Sequence, residues 1–169
     1  MSTIKKIAGR LEKSLEQASE TCRLVGEIIL GIIVLLIVVD VILRYFFNQP
    51  LSYSFELIEA GLSMVIFFGI VICTAHRGHV DISLLVGRFS PRVQAAIMSF
   101  SYIIGSALFG LVAWQMFSHT MQTMEMGKVT SILRIPSYPF VFIIGLCCVL
   151  ISLLLLAQFI HLIRKALAK

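Results

Sequence analysis

Four charged side chains at the ends of two apolar segments are the residues of this chain best placed to do chemistry. Asp40 and Arg44 stand four residues apart with the acid first, which is the favourable order for an ion pair on a helix. Glu56 and Glu59 stand three residues apart, so they share one face of the following helix. Because the link 45–54 is short, both pairs should lie at the same membrane surface.

This group holds three acids and one base, so it requires a further cation, which Arg134 or Lys128 would supply. One interpretation is a proton or sodium site built on Asp40, Glu56 and Glu59. The alternative is a structural clamp, within the subunit or to a partner. All the charges fall at span ends, whereas transporters hold coupling ions near the midplane, which favours the clamp. The predicted interface or ion-pair cluster consists of Asp40, Arg44, Asn48, Pro50, Glu56, Glu59 and Arg134.

Histidine and cysteine patterns give little support to cofactor or metal chemistry. His76 and His161 fall near the same predicted surface, which leaves open axial ligation of a haem, but each is equally suited to an interfacial position. His79 and Asp81 are candidate contacts in a cytoplasmic loop. The four cysteines form no C-x-x-C pair, and buried apolar packing is the better interpretation. No catalytic triad, phosphate loop or metal motif occurs, so we predict no enzyme activity, no metal and no cofactor.

The composition predicts a membrane protein. Of 169 residues, 59% are hydrophobic and 14% are charged, against about 45–50% and about 25% in soluble domains. Mean hydropathy is +0.98. The net charge of +5 comes from basic residues scattered between apolar runs, which argues against a nucleic-acid partner.

Four segments are long and apolar enough to cross a bilayer, which needs about 20 residues each. The predicted spans are about 24–43, 55–75, 95–118 and 139–162, which together form a transmembrane domain over 24–169. Eleven of the fourteen Lys and Arg residues fall before the first span, between the second and third, or after the fourth. Because positive residues stay on the cytoplasmic side, both termini should be cytoplasmic. The fold class is an all-α integral membrane protein.

The segment 1–23 predicts an amphipathic N-terminal helix. Its apolar residues alternate spacings of four and three, a heptad seam through Ile4, Ala8, Leu11, Leu15, Ala18, Cys22 and Val25. Such a helix would lie in the headgroup plane, pack along a partner helix, or extend the first span into the cytoplasm. The sequence leaves these alternatives open.

Small residues in the third span predict close helix packing. Ser101 and Gly105 are four residues apart, as are Ser106 and Gly110, a spacing that lets helix backbones approach each other. The chain lacks internal repeats and midplane Gly or Pro breaks, which carriers typically contain. The sequence therefore predicts a subunit that supports another protein.

Three motifs in register give this chain a family resemblance. Arg44-Tyr45-Phe46-Phe47-Asn48-Gln49-Pro50-Leu51 with Glu56-Leu57 resembles the signature after the first helix of the small membrane subunit of tripartite ATP-independent periplasmic (TRAP) transporters. Gly78-His79-Val80-Asp81 with Ile82 and Leu84-Leu85 is similar to that family's loop after helix two. Leu133-Arg134-Ile135-Pro136 with Tyr138-Pro139 is similar to its entry into helix four. Tyr53 departs from the family's usual Trp but keeps an aromatic ring at the interface.

The resemblance implies a function that the composition alone does not predict. In this family a soluble periplasmic protein captures an organic acid, such as a dicarboxylate or sialic acid, and a large subunit carries it inward using a sodium gradient. The small subunit is thought to brace the static scaffold of the large, elevator-type subunit in the bacterial inner membrane. The implied partners are the large subunit, the periplasmic binding protein and membrane lipids. Two alternatives remain: a haem- or quinone-binding electron-transfer anchor through His76 and His161, and a small proton-coupled exporter using Glu56 and Glu59.

Overall fold

The residues that the structure describes form four helices and parts of their connections. The computed structural model describes residues 2–49, 51, 53–76, 91–130 and 132–167, with side chains described outside 1–13, 91–92, 95–96 and 164–169. The helices are α1 (Ser2–Phe47), α2 (Ser54–Ala75), α3 (Pro91–Glu125) and α4 (Tyr138–Leu167). Each contains a stretch long and apolar enough to cross a membrane. The prediction of an all-helical chain with four potential spans is confirmed.

Helix packing follows the order α1, α2, α4, α3 across the bundle. Among the described residues, α2 packs against α1 on one side and α4 on the other, while α3 packs on α4. A smaller contact joins α1 to α4. One end of this bundle, the Asp40 end, holds the α1–α2 and α3–α4 connections, and the opposite end, the Glu20 end, holds the carboxyl ends of α2 and α4.

The face of α1 that α2 covers follows a seven-residue period. Ser19, Gly26, Ile33 and Asp40 are buried at intervals of seven residues. This spacing is that of a coiled-coil seam. Of the seam predicted from the sequence, Leu15 and Cys22 pack against the core, whereas Ser19 and Gly26 are buried in place of Ala18 and Val25. The cause is steric, because the small Gly26 lets α2 approach closely: a Cβ added there would lie 3.3 Å from Cβ of Phe68.

The core lies between α2 and α4. It is formed by six buried residues: Phe68, Val71, Cys147, Ile151, Leu154 and Leu155. Two cysteines, Cys147 and Cys148, are buried as predicted, and Cys22 is half-buried. Cys73 differs from the prediction because its side chain is exposed on α2.

Most of the apolar surface of the helices points away from this core. Leu35 on α1, Leu108 on α3 and Leu153 on α4 are all exposed, as are many other large apolar side chains. An exposed apolar surface of this extent indicates contact with lipid or with partner helices. The backbone of α1 is helical without interruption from Ser2 to Phe47, about 70 Å at the usual rise per residue.

Candidate functional site

The Asp40 end is organised around two carboxylates, and the first of them closes the α1–α2 connection. Asp40 is buried, and its Oδ2 accepts a hydrogen bond of 2.7 Å from Nη2 of Arg44. Its Oδ1 accepts a second bond of 2.9 Å from the backbone N–H of Leu51. One carboxylate thus fixes both an exposed arginine on its own helix and the chain that leads into α2.

The turn after α1 depends on a residue in the left-handed conformation. Asn48 follows the last helical residue and has φ +51°; asparagine adopts this conformation more readily than most residues. The backbone N–H of Gln49 then donates to the carbonyl of Leu43 at 3.3 Å. This turn directs the chain back toward Asp40.

The second carboxylate joins α2 to the α3–α4 connection. Glu56 lies in the first turn of α2, where a negative charge also meets the positive end of the helix dipole. Its Oε1 accepts a hydrogen bond of 2.8 Å from the N–H of Ile132, and its Oε2 accepts one of 3.1 Å from the N–H of Leu133. Two successive backbone donors therefore bind this carboxylate, in the manner of an anion-binding nest.

The loop that supplies these donors is itself tightly hydrogen-bonded. It begins at Gly127, whose φ of +59° and the bond from the N–H of Lys128 to the carbonyl of Thr123 end α3 in a Schellman motif. Thr130 then closes the turn. Its carbonyl accepts from the N–H of Arg134, and its hydroxyl accepts from the N–H of Ile135. The loop presents its amides to Glu56 as a rigid unit.

Arg134 is exposed on this loop with φ +52°. A non-glycine residue in this region is uncommon, and the surrounding hydrogen bonds hold it there. The sequence predicts Arg134 as the counter-ion of the acids. At Glu56 the structure differs, because backbone N–H groups donate hydrogen bonds to the carboxylate. Sequence reasoning missed Ile132 and Leu133, because a backbone donor gives no residue-type signal.

Glu59 does not join the other charges of the predicted cluster. Its side chain is exposed on α2, one turn beyond Glu56, and only its backbone carbonyl takes part in a side-chain bond, accepting from the hydroxyl of Ser63 at 2.9 Å. Within the described part of the chain, its carboxylate has no hydrogen-bond or ion-pair partner. Pro50 of the same cluster, and His79 and Asp81 of the predicted cytoplasmic loop, lie outside the described residues.

The small residues of α3 lie at two kinds of position. Ser106 is buried and exchanges hydrogen bonds with Ser152 of α4: each hydroxyl donates to the other's carbonyl, at 3.2 and 3.0 Å. Gly105 and Gly110 also face α4. A Cβ added at Gly105 would lie 3.1 Å from Cδ1 of Leu155. Ser101, in contrast, is exposed.

At the Glu20 end, polar contacts tie α1 and α4 to the carboxyl end of α2. Arg23 bridges Glu20 and Glu27 along α1 at 2.8 Å each. The ring nitrogen Nε2 of His76 lies 3.7 Å from Oε1 of Glu20. Gln158 of α4 donates from Nε2 to the backbone carbonyl of Thr74 at 2.6 Å, which satisfies a carbonyl at the end of α2.

Histidine placement bears on the cofactor alternatives. His76 lies beside Glu20 across the α1–α2 contact, while His161 and His119 are exposed on α4 and α3. Over the described residues, no group of three or more His, Cys, Asp and Glu side chains is arranged to hold a metal ion. The Asp40 end itself holds a network of hydrogen bonds made largely by carboxylates and backbone amides.

Comparison with models of known protein families gives a match over most of the chain. A family model described as "Tripartite ATP-independent periplasmic transporters, DctQ component" matches residues 33–165. This range holds every described residue of the Asp40 end, from Asp40 to Arg134. Neither the curated proteins nor the solved structures yield a match to this chain.

Proposed function

The chain belongs to the DctQ component family of tripartite ATP-independent periplasmic transporters, and from that premise we propose that it braces the large membrane subunit of such a transporter without catalysing a step itself. DctQ components are the small permease subunits of these transporters, and they work with a large membrane subunit and a substrate-binding protein. The family match over 33–165 is the observation that carries the proposal.

A bracing role is supported by how the helices use their surfaces. Asp40 and Glu56 are engaged in hydrogen bonds that fix the two connections at one end of the bundle, which supports a structural role for both carboxylates. The outward surfaces of the four helices are mainly apolar. A rigid unit with large apolar faces can widen the hydrophobic footprint of a scaffold and resist its tilting while another domain moves.

The finer parts of the proposal follow from the family resemblance and the charge distribution. We place the chain in the bacterial inner membrane with both termini in the cytoplasm, since eleven of its fourteen Lys and Arg residues precede the first span, separate the second span from the third, or follow the fourth in the sequence. The Asp40 end would then face the periplasm and the binding protein. The transported solute would be an organic acid of the dicarboxylate or sialic acid class, driven by a sodium gradient.

Reconstitution tests this proposal directly. The large subunit is placed in sealed liposomes with and without this chain, and sodium-driven uptake of labelled organic acids is measured in the presence of the binding protein. We expect uptake only when both membrane subunits are present, and none from this chain alone. Full uptake by the large subunit without this chain, or transport by this chain alone, would contradict the proposal.

A further inference from the structure

One face of α2 is left open along its whole length. Its exposed residues alternate spacings of four and three, and every other residue of the helix is buried or half-buried. This α2 stripe consists of Phe55, Glu59, Leu62, Ile66, Gly69 and Cys73. An alternation of four and three is the period at which one helix receives another by knobs-into-holes packing.

The shape of the α2 stripe suits a close helix contact. Gly69 leaves open space on its outer side, since a Cβ added there would meet nothing within 4 Å. Leu62 and Ile66 project beside it and are about half exposed, at 45% and 53%. Large side chains next to a glycine give a surface into which a partner helix can insert.

Glu59 distinguishes the α2 stripe from a lipid-facing surface. The 22 residues of α2 extend about 33 Å, close to the hydrocarbon thickness of about 30 Å. Glu59 lies five residues inside the helix, about 7–8 Å from its first residue. An exposed carboxylate at that depth is costly in lipid, whereas a cationic partner would stabilise it.

We propose that the α2 stripe is the binding surface for a transmembrane helix of the large membrane subunit that carries a lysine or arginine at the depth of Glu59. This inference rests on the proposed function and adds the surface and the charge of the partner. A second copy of this chain fits poorly, because pairing two α2 stripes would bring like charges together at Glu59. The open stripe of α4, formed by Phe142, Leu146, Leu153, Leu156, Ile160 and Ile163, is apolar between the terminal residues Tyr138 and His161 and carries no acid, so it suits lipid.

Co-purification of the large subunit with a tagged form of this chain tests the proposal. Both subunits are expressed together, and the amount of large subunit recovered per tagged chain is compared between variants. We expect Glu59→Lys to lower recovery at least about tenfold, since it places two cations together inside the membrane. Glu59→Gln should lower it less. Glu125→Lys, at an exposed acid of α3 outside the stripe, is the matched control and should leave recovery unchanged.

Chemical labelling of Cys73 tests the same surface independently. It is the exposed cysteine among the four, and it lies about 21 Å along α2 from Glu59. A membrane-permeable maleimide should label Cys73 rapidly in the chain expressed alone and several-fold more slowly in the assembled complex. Cys73→Ser gives the background from the other cysteines. Folding of each variant is checked by size-exclusion chromatography of the chain alone.

The outcomes distinguish failure of the proposed function from failure of the inference about the α2 stripe. If the unmodified chain recovers no large subunit, both the proposed function and this inference fail. If it recovers the subunit, but Glu59→Lys does so equally well and Cys73 labels at the same rate in the complex, the inference fails while the function stands. Oxidative Cys73–Cys73 cross-linking of the chain alone would also overturn it, in favour of a second copy as occupant.

Discussion

Glu56, in the first turn of α2, accepts a hydrogen bond of 2.8 Å from the backbone N–H of Ile132, which lies 76 residues later in the loop between α3 and α4. With the bond from the N–H of Leu133, this contact links α2 to the connection between α3 and α4. Because the loop is internally hydrogen-bonded, fixing its tip also fixes the ends of α3 and α4.

Glu56→Ala should therefore destabilise the isolated chain. Two charge-assisted bonds are lost, but the Ile132 contact is exposed, so we expect a cost of about 1–3 kcal/mol. Thermal unfolding in detergent measures it, with Glu59→Ala as control because that carboxylate has no partner among the described residues. Equal unfolding temperatures for the two variants would show that the loop does not depend on Glu56.

Asp40 and Arg44 should contribute unequally to the stability of the chain, although they form one ion pair. The Arg44 side chain is 60% exposed and the Asp40 side chain 11%. Removing the arginine loses a partly hydrated pair, at about 0.5–1.5 kcal/mol. Removing the acid also leaves the N–H of Leu51 without its acceptor, so Asp40→Ala should cost about 2–4 kcal/mol.

The same unfolding measurement checks this order. Asp40→Asn should fall between the two alanine variants, because its amide oxygen can still accept from Leu51 while the charge is lost. If Arg44→Ala were as damaging as Asp40→Ala, the ion pair would outweigh the bond to Leu51, and the clamp would have to be described as electrostatic.

The sequence predicts the helices more easily than it predicts the contacts between them. Four long apolar runs are enough to predict four helices, and the spacing of Asp40 and Arg44 places them on one helical face because both belong to α1. The partners of Glu56 are beyond such reasoning, since backbone amides carry no side-chain signal. The sequence also does not predict that Gly26 rather than Val25 is buried in the α1 seam. A glycine becomes an interface residue only when a side chain such as Phe68 fills the space beside it.

The orientation of the bundle gives a prediction that depends on charge alone. Fusing alkaline phosphatase or a fluorescent protein after Lys169 should give fluorescence and no phosphatase activity in cells, because the tail should be cytoplasmic. The same reporters inserted at Lys128, in the α3–α4 connection, should give the reverse. An active phosphatase after Lys169 would place the Asp40 end in the cytoplasm and remove it from the reach of a periplasmic protein.

Two glycines of α2 give a matched pair of variants with opposite expectations. A Cβ added at Gly61 would lie 2.8 Å from Cδ1 and 3.2 Å from Cγ1 of Ile33, a buried residue of the α1 seam. Both atoms of Ile33 would have to move within a packed helix contact, and the better helix propensity of alanine offsets only part of that cost, so Gly61→Ala should destabilise the isolated chain by about 1–2 kcal/mol.

Gly69→Ala adds the same methyl group to open space on the same helix, where alanine is also the better helix former, so it should leave stability unchanged or raise it by up to about 1 kcal/mol. Thermal unfolding of the two variants in one detergent measures the contrast. The double variant Gly61→Ala with Ile33→Val should recover part of the loss, because valine lacks the Cδ1 atom nearest to the new methyl group. If Gly61→Ala were harmless while Gly69→Ala unfolded the chain, the assignment of the Gly61 face of α2 to α1 would be wrong.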